Sequence, residues 1–460
     1  MINYRQIRQY TLEHPQRSGP AMGSKILVMG FAAIILIGSV LLALPVATEG
    51  PESLSWLEAL FTATSATTVT GLAVVSTEVT FSLFGEIVIL LLIQVGGVGF
   101  IVLSIMLFRL IGRHVSFYER NLLQQNLGVD ESHGILHLAS RVMYITLIIE
   151  AIGAIFLFSQ WVQVLDWKAA AYYAIFHSIS AFCNAGFDLF HGFDDPLLIF
   201  VRENHFSIIV LCILITIGTL GVTVVYDIVH WPKIQRLTLH TRLVLPFTIL
   251  LTIIGTFIVM IDESFMQGHT LSLLPTAERW WMAFFTIVSS RTAGITLIPM
   301  GDLGEASQFI IIIWMFIGGA PASMGGGVGL TTVAVVFFTL TSTVRGHDQT
   351  RVMGRTLPTE TVTKAIAILT VSVLLVVVIT LLLTLLEQGH AFIVGFEVIS
   401  AFSNTGYSLG ITDQFGPVSR LLLIFTMFWG RLGPLTLVVA LAQRRRPTLL
   451  QYPEEKIIIG

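Results

Sequence analysis

The chain has 460 residues, of which 54% are hydrophobic and 12% are charged, and its mean hydropathy is +0.84. A soluble chain of this length does not carry so apolar a composition, so these values indicate a polytopic membrane protein. The 25 Lys and Arg nearly balance 28 Asp and Glu, which excludes the basic footprint of a nucleic-acid-binding protein. Two cysteines, Cys183 and Cys212, exclude a disulfide framework.

Long apolar runs recur along the chain, and a transmembrane helix needs about 20 such residues. Eight runs reach this length, at 26–46, 84–108, 137–159, 205–229, 241–262, 307–340, 361–386 and 417–442. The first run follows a basic stretch, so it is open to two readings, an uncleaved membrane anchor or a signal peptide. We favour the anchor, because the repeat described below needs this run as a span.

Four shorter apolar stretches lie between the members of successive pairs of runs. They cover residues 55–68, 168–183, 276–291 and 391–403, and polar and glycine residues follow each of them. These stretches are too short to cross a bilayer and too apolar for exposed loops. The pattern therefore predicts re-entrant helices, each followed by a glycine loop.

Charge is distributed unevenly between the two sets of connecting segments. Nineteen of the 25 Lys and Arg fall in the termini and in the segments that lack a short apolar stretch, whereas 18 of the 28 Asp and Glu fall on the other side. The positive-inside rule then places both termini in the cytoplasm and all four short stretches on the outer side. The acidic outer face is expected to attract cations.

The four short stretches share one spacing. A Phe stands ten residues before a glycine in all four, a Ser stands six before it in three, and Thr or Ala always precedes the glycine directly. These glycines are Gly71, Gly186, Gly294 and Gly406. The predicted unit is a span, a re-entrant helix, a glycine loop and a second span, used four times, so that all four loops meet on one face.

Irregular backbone at membrane depth is tolerated where it is buried in protein or lines a watery path. Main-chain oxygens from four loops can replace the hydration shell of a cation, and glycine permits the positive φ that turns carbonyls toward the axis. The negative end of each preceding helix favours a cation. The alternative, that these glycines only allow close helix packing, explains a single loop better than four loops in register.

The loops Thr-Val-Thr-Gly-Leu (68–72), Ser-Ala-Phe-Cys-Asn-Ala-Gly-Phe (180–187), Ser-Arg-Thr-Ala-Gly (290–294) and Ser-Asn-Thr-Gly-Tyr (403–407) resemble the selectivity-filter loops of the Trk/Ktr/HKT superfamily of potassium transporters. The resemblance extends over nearly the whole chain from about residue 25. It implies an all-α integral membrane fold of eight transmembrane helices in four M1–P-loop–M2 repeats, with pseudo-fourfold symmetry around one central, potassium-channel-like pore. The repeats would cover 26–120, 137–230, 241–343 and 361–442, between a cytoplasmic N-terminus (1–25) and a cytoplasmic tail (443–460).

The resemblance also implies a potassium filter of main-chain carbonyls. Its residues would be Thr68, Val69, Thr70, Gly71, Cys183, Asn184, Ala185, Gly186, Thr292, Ala293, Gly294, Asn404, Thr405 and Gly406. A serine at the first glycine position goes with sodium transport in the superfamily. Because this chain has Gly71, the resemblance favours potassium.

A second irregular feature, residues 317–329, divides the sixth apolar run. So many glycines together with a proline cannot remain helical, and the segment is either a simple kink or, as the resemblance implies, an intramembrane loop that plugs the pore below the filter. The predicted gate residues are Gly318, Gly319, Ala320, Pro321, Ser323, Gly325, Gly326, Gly327 and Gly329. Related chains often carry a lysine shortly after the glycine cluster, where this chain has Gly329.

Arg431 is the one Lys or Arg deep inside a predicted span. An intramembrane charge is costly and faces a partner or a cavity. The resemblance implies an electrostatic barrier beneath the filter that also holds the gate loop, whereas the alternative is a structural arginine paired with a carbonyl or with Glu150. Arg291 is expected to brace the third filter loop, and His177 to be a packed, hydrogen-bonded residue.

The sequence contains no enzyme signature, so we expect no catalytic activity and no covalently bound cofactor. The resemblance implies a transporter with K+ in the filter, in which Na+ also has a role. The resemblance implies a homodimer regulated by a KtrA-like cytosolic octameric ring that binds ATP and ADP. Basic segments 109–120, 233–242 and 345–355 and the tail after Arg444 are candidate contacts for that ring or for membrane lipids. The alternative function is an alternating-access carrier, but such carriers have inverted repeats, whereas these repeats share one orientation.

Overall fold

A computed structural model describes residues 20–50, 53–99, 135–190, 192–265, 270–321 and 323–433. The end of the predicted first repeat, the end of the eighth apolar run, basic segment 109–120 and the tail lie outside these residues. The described part is predominantly helical, with one two-residue β-hairpin, Arg351–Val352 (β1) and Arg355–Thr356 (β2).

The described helices follow the predicted pattern of long and short apolar elements. They are α1 (Pro20–Leu42), α2 (Trp56–Thr68), α3 (Thr77–Thr80), α4 (Leu83–Val98), α5 (Ile135–Trp161), α6 (Trp167–Cys183), α7 (Pro196–Glu203), α8 (His205–Leu220), α9 (Val222–Ile234), α10 (Leu239–Phe265), α11 (Thr270–Leu273), α12 (Thr276–Ser290), α13 (Glu305–Ile317), α14 (Leu330–Val344), α15 (Thr359–Glu387), α16 (Ala391–Ser403) and α17 (Pro417–Leu432). Helices α2, α6, α12 and α16 are the four predicted short helices.

Three described helices are long and apolar enough to cross a membrane, within Val142–Trp161, Leu239–Phe265 and Thr359–Glu387. A fourth span results if α7 and α8, which meet at an angle of 87°, are counted together. The run 205–229, which we expected to be one continuous span, is broken at Gly221, whose φ of +83° and ψ of 157° interrupt the helix. The predicted break in the sixth run is present, between α13 and α14.

A glycine caps the C-terminus of the second long helix in each of the four units. Helices α4, α8, α13 and α17 are capped at the C-terminus by Gly99, Gly221, Gly318 and Gly433, each with positive φ. Three residues earlier, Gly96, Gly218 and Gly430 bring α4, α8 and α17 against carbonyls in the last turn of α2, α6 and α16. This spacing of two glycines is a sequence signal that our prediction did not use.

The short helices lie at the centre of the fold and are packed by helices on both sides. Each contacts the two flanking helices of its own unit, which are α1 and α4 for α2, α5 and α8 for α6, α10 and α13 for α12, and α15 and α17 for α16. The second helix of each unit also packs on the short helix of the next unit. The latter contacts are α4 on α6, α8 on α12, α13 on α16 and α17 on α2. The contacts therefore run in one cyclic order and return from the last unit to the first.

Candidate functional site

The four glycine loops begin where the short helices end. Thr68, Cys183 and Ser403 are the last helical residues of α2, α6 and α16, so that two of the predicted filter residues lie in helices rather than in loops. A non-glycine residue with φ between 53° and 71° then comes two positions before each glycine, and the glycine itself has φ between 67° and 92°. The four non-glycine residues are Val69, Asn184, Thr292 and Asn404. Glycine is favoured at the second position of each pair, because it adopts positive φ without the steric cost that a Cβ brings.

Each loop is tied to its own helix by a main-chain hydrogen bond to a serine. The amide nitrogens of Thr70, Ala185 and Thr405 donate to Ser65, Ser180 and Ser400 at 2.8, 2.8 and 3.0 Å. In the third loop, the amides of Ala293 and Gly294 both donate to Ser289, at 2.9 and 3.0 Å. In the third repeat the serine, Ser289, therefore stands five residues before the glycine, where the other three repeats have it six residues before.

The four glycines meet at one place. A Cβ built on each glycine would contact the carbonyl oxygen of the residue that precedes the next glycine in the ring. The distances are 2.6 Å from Gly71 to Ala185, 3.0 Å from Gly186 to Ala293, 1.8 Å from Gly294 to Thr405 and 2.2 Å from Gly406 to Thr70. The four main-chain oxygens therefore converge on one small space, in the same cyclic order as the helix contacts.

Two asparagine side chains connect neighbouring loops. Asn404 donates to Thr70 Oγ1 and to the Met427 carbonyl, both at 2.9 Å, and Asn184 donates to Thr219 Oγ1 at 2.9 Å and to Thr292 Oγ1 at 3.4 Å. Both asparagines are fully buried. Each therefore links its own loop to the following helix and to the adjacent loop, a role that sequence spacing alone did not reveal.

In the second and fourth loops, a short-helix side chain binds the main chain that follows the glycine. This side chain belongs to the residue nine positions before the glycine. Glu397 Oε1 accepts from the Leu409 amide at 2.8 Å, and His177 Nε2 accepts from the Leu189 amide at 3.3 Å. Because His177 Nδ1 also lies 2.8 Å from the Tyr173 carbonyl, the imidazole is hydrogen-bonded at both nitrogens, as expected. These bonds fix the segment on the far side of the glycine ring from the helix ends.

Residues 318–329 form a non-helical loop that packs against the glycine loops and is described except for residue 322. A Cβ on Gly325 would lie 2.2 Å from Thr292 Oγ1, and a Cβ on Gly326 would lie 2.2 Å from Asn404 Oδ1. Only glycine permits this approach. The other predicted gate residues, Gly318, Gly319, Ala320, Pro321, Ser323, Gly327 and Gly329, lie in the same loop.

Two arginines reach this loop, Arg291, which is buried, and Arg431, which is half-buried. Arg431 donates to the carbonyls of Met324, Gly96 and Gly97, and Arg291 lies with Nη2 3.5 Å from the Gly318 carbonyl. The guanidinium of Arg291 thus contacts the loop 318–329. Its expected role in bracing the third glycine loop stays a prediction. Of the two partners considered for Arg431, a carbonyl or Glu150, the structure shows hydrogen bonds to carbonyls.

Glu150 is occupied elsewhere and has no ion pair with Arg431 in the described part of the chain. Its carboxylate accepts from Gln94 Nε2 at 3.1 Å and lies 3.6 Å from Cys183 Sγ. The thiol of Cys183 therefore points toward Gln94 in α4 and Glu150 in α5.

A converging set of main-chain oxygens that hydrogen bonds hold in place can bind a dehydrated cation, and no covalent chemistry is needed for this. Residues 8–447 match the family of TrkH cation transport proteins. The chain belongs to this family, whose members are transporters and not enzymes.

Individual relatives are similar over almost their whole length. The chain is 37% identical to Ktr system potassium uptake protein B of Vibrio alginolyticus, over 95% of this chain and 94% of that protein. It is 35% identical to the protein of the same name from Bacillus subtilis (strain 168), over 95% and 96%. It is 33% identical to the potassium/sodium uptake protein NtpJ of Enterococcus hirae, over 95% and 97%.

The fold is also similar to a solved structure. The crystal structure of the potassium transporter TrkH from Vibrio parahaemolyticus matches with a TM-score of 0.71 at 20% identity, covering 94% of this chain and 86% of that one. The chain is accordingly a multi-pass membrane protein with the TrkH fold.

Proposed function

We propose that this chain is the potassium-selective, ion-translocating subunit of a bacterial K+ uptake system. The observation that carries the proposal is the ring of four carbonyl oxygens, from Thr70, Ala185, Ala293 and Thr405, that surrounds the four glycines. Membership of a cation transport family and the names of the relatives agree with K+ as the substrate. K+ binds to the main-chain oxygens of the filter residues and needs no side-chain carboxylate.

The proposed architecture is eight transmembrane helices in four repeats around one pore. It is supported by the closed cyclic order of helix contacts and by the four loops of common geometry. The uneven distribution of Lys and Arg supports an orientation in the cytoplasmic membrane with both termini inside and the four loops facing out.

The loop 318–329 is the proposed gate, and Arg431 is the proposed barrier and tether. The loop packs directly against Thr292 and Asn404, and the guanidinium of Arg431 holds the Met324 carbonyl. A cation leaving the filter toward the cytoplasm meets first this loop and then a fixed positive charge. Opening then requires the loop to move aside.

Regulation is proposed to come from a second, cytosolic component. The protein is proposed to act as a homodimer under the control of an octameric, KtrA-like ring that binds ATP and ADP, with Na+ needed for full uptake. The word "system" in the names of two relatives supports a multi-subunit assembly. Arg345, Arg351 and Arg355, around the β-hairpin, are exposed and are suited to an acidic partner or to anionic lipid.

Gly71→Ser tests the filter. Because Gly71 has φ +85° and a Cβ there would lie 2.6 Å from the Ala185 carbonyl, the serine must displace the second loop. We expect the preference for K+ over Na+ to fall by about tenfold, since an overpacked site costs roughly 1 to 3 kcal/mol. The measurement is K+ and Rb+ uptake, with and without Na+, by uptake-deficient bacteria that produce the chain with its partner.

Gly410→Ser is the matched control. Gly410 also has positive φ (+84°), but nothing lies within 4 Å of its Cβ position. This variant should keep the native preference. If native cells take up no K+, or if Gly71→Ser keeps full selectivity at normal protein levels, the filter assignment fails and the carrier mechanism is favoured.

A further inference from the structure

Helix α8 ends in the middle of what the sequence presents as one apolar run. The last carbonyls of a helix have no partner within the helix. In a continuous helix, the carbonyls of Gly218 and Thr219 would accept from residues 222 and 223. The break at Gly221 (φ +83°, ψ 157°) frees both oxygens.

The loop 318–329 supplies donors for these two oxygens. The amide of Met324 donates to the Gly218 carbonyl at 3.1 Å, and the amide of Ala320 donates to the Thr219 carbonyl at 3.0 Å. Both bonds join elements that are about a hundred residues apart in the chain. They replace the intrahelical bonds that the break removes.

The same arrangement occurs on a second side of the loop. Helix α4 ends at Gly99, and the carbonyls of Gly96 and Gly97 in its last turn accept from Arg431. Arg431 in turn donates to the carbonyl of Met324. The loop residue Met324 is therefore held through its amide by α8 and through its carbonyl, by way of Arg431, by α4.

We propose that the C-terminal turn of α8, residues 218–221, positions the gate, because the glycine break at Gly221 exposes the carbonyls that hold the loop 318–329 closed. This inference rests on the proposed role of that loop as a gate. Three residues are thereby added to those that control conduction. Gly218 and Thr219 accept hydrogen bonds from the loop, and Gly221 ends the helix so that their carbonyls are available.

The turn of α8 also contacts the filter. The hydroxyl of Thr219 donates to the Ile215 carbonyl at 2.7 Å, so it is an acceptor for Asn184 Nδ2 at 2.9 Å. One residue thus accepts from the second filter loop through its side chain and from the gate loop through its main chain. A change in the helix at Gly221 is transmitted to both.

Gly221→Ala tests the inference. Alanine disfavours φ +83° and favours helical backbone, which would return the two carbonyls to their own helix. Loss of two hydrogen bonds should shift the equilibrium of the loop toward open by about tenfold. We expect K+ efflux from proteoliposomes that hold the full-length chain without a partner to rise by about that factor.

Amide hydrogen exchange of the purified full-length protein provides the second measurement. Peptides that cover residues 319–325 should exchange faster in Gly221→Ala than in the native protein. Gly192→Ala is the control, because Gly192 also has positive φ (+82°) and nothing lies within 4 Å of its Cβ position. It should change neither efflux nor exchange.

The outcomes distinguish the anchorage of the loop by α8 from the role of the loop as a gate. If Gly221→Ala leaves exchange of 319–325 at the native rate, the proposed anchorage is wrong, whatever the flux. If exchange accelerates but efflux stays native, the turn holds the loop but the loop is not the gate, which overturns the inference as stated. If no variant passes K+ at all, the proposed function fails, and exchange alone still decides the anchorage.

Discussion

Replacing Gly294 by alanine should strongly reduce K+ uptake. The new Cβ would lie 1.8 Å from the carbonyl oxygen of Thr405, and this atom belongs to the main chain, so no side-chain rotation can relieve the overlap. The positive φ of +67° adds backbone strain of about 1 to 2 kcal/mol. The third and fourth loops must separate, which opens the ring of oxygens, and we expect uptake to fall by about tenfold or more.

The measurement is initial-rate K+ uptake at equal protein level in the membrane. Gly192→Ala is the control, because Gly192 has φ +82° but nothing lies within 4 Å of its Cβ position. This variant should transport at the native rate. Native uptake by Gly294→Ala would contradict the close convergence of the third and fourth loops.

Replacing Arg431 by glutamine should raise basal K+ flux in the absence of the regulatory partner. The change removes the guanidinium charge of Arg431 and its bonds to the carbonyls of Met324, Gly96 and Gly97. Hydrogen bonds from charged groups contribute roughly 1.5 to 3 kcal/mol each, so the closed state should lose stability corresponding to about tenfold or more in flux. Efflux of K+ from proteoliposomes measures this directly.

Two further variants show which property of Arg431 acts. Arg431→Lys keeps the charge but lacks the guanidinium fork, so an intermediate flux is expected if both the barrier and the tether contribute. Arg420→Gln, on the same helix, removes bonds to the Phe415 and Asp413 carbonyls but does not affect the loop 318–329, and should leave the flux unchanged. A flux at or below the native level in Arg431→Gln would exclude the tether.

The sequence predicted the local elements of the site closely. Short helices expected at 55–68, 168–183, 276–291 and 391–403 are found at Trp56–Thr68, Trp167–Cys183, Thr276–Ser290 and Ala391–Ser403. Apolar length and glycine position determine these boundaries, and both can be read along the chain. The positive φ of the four glycines was predicted for the same reason.

Features that depend on contacts between distant elements were not predicted. The role of Ser289 was missed because the third loop is one residue shorter between serine and glycine, so alignment on the glycine placed Val288 there. The break at Gly221 was missed because hydropathy does not distinguish a bent run from a straight one. The links made by Asn184 and Asn404 join different repeats, and no local pattern reports them.

Selection of K+ by the four main-chain carbonyls can be tested by cation competition on the purified native protein. Binding of K+, Rb+ and Na+ can be followed by calorimetry, or through protection of the loops at 68–72 and 403–407 from hydrogen exchange as each salt is added. If the four carbonyls select K+, then K+ and Rb+ bind and protect the loops at concentrations at which Na+ does not. Equal binding of Na+, or protection that is independent of the cation, would contradict it.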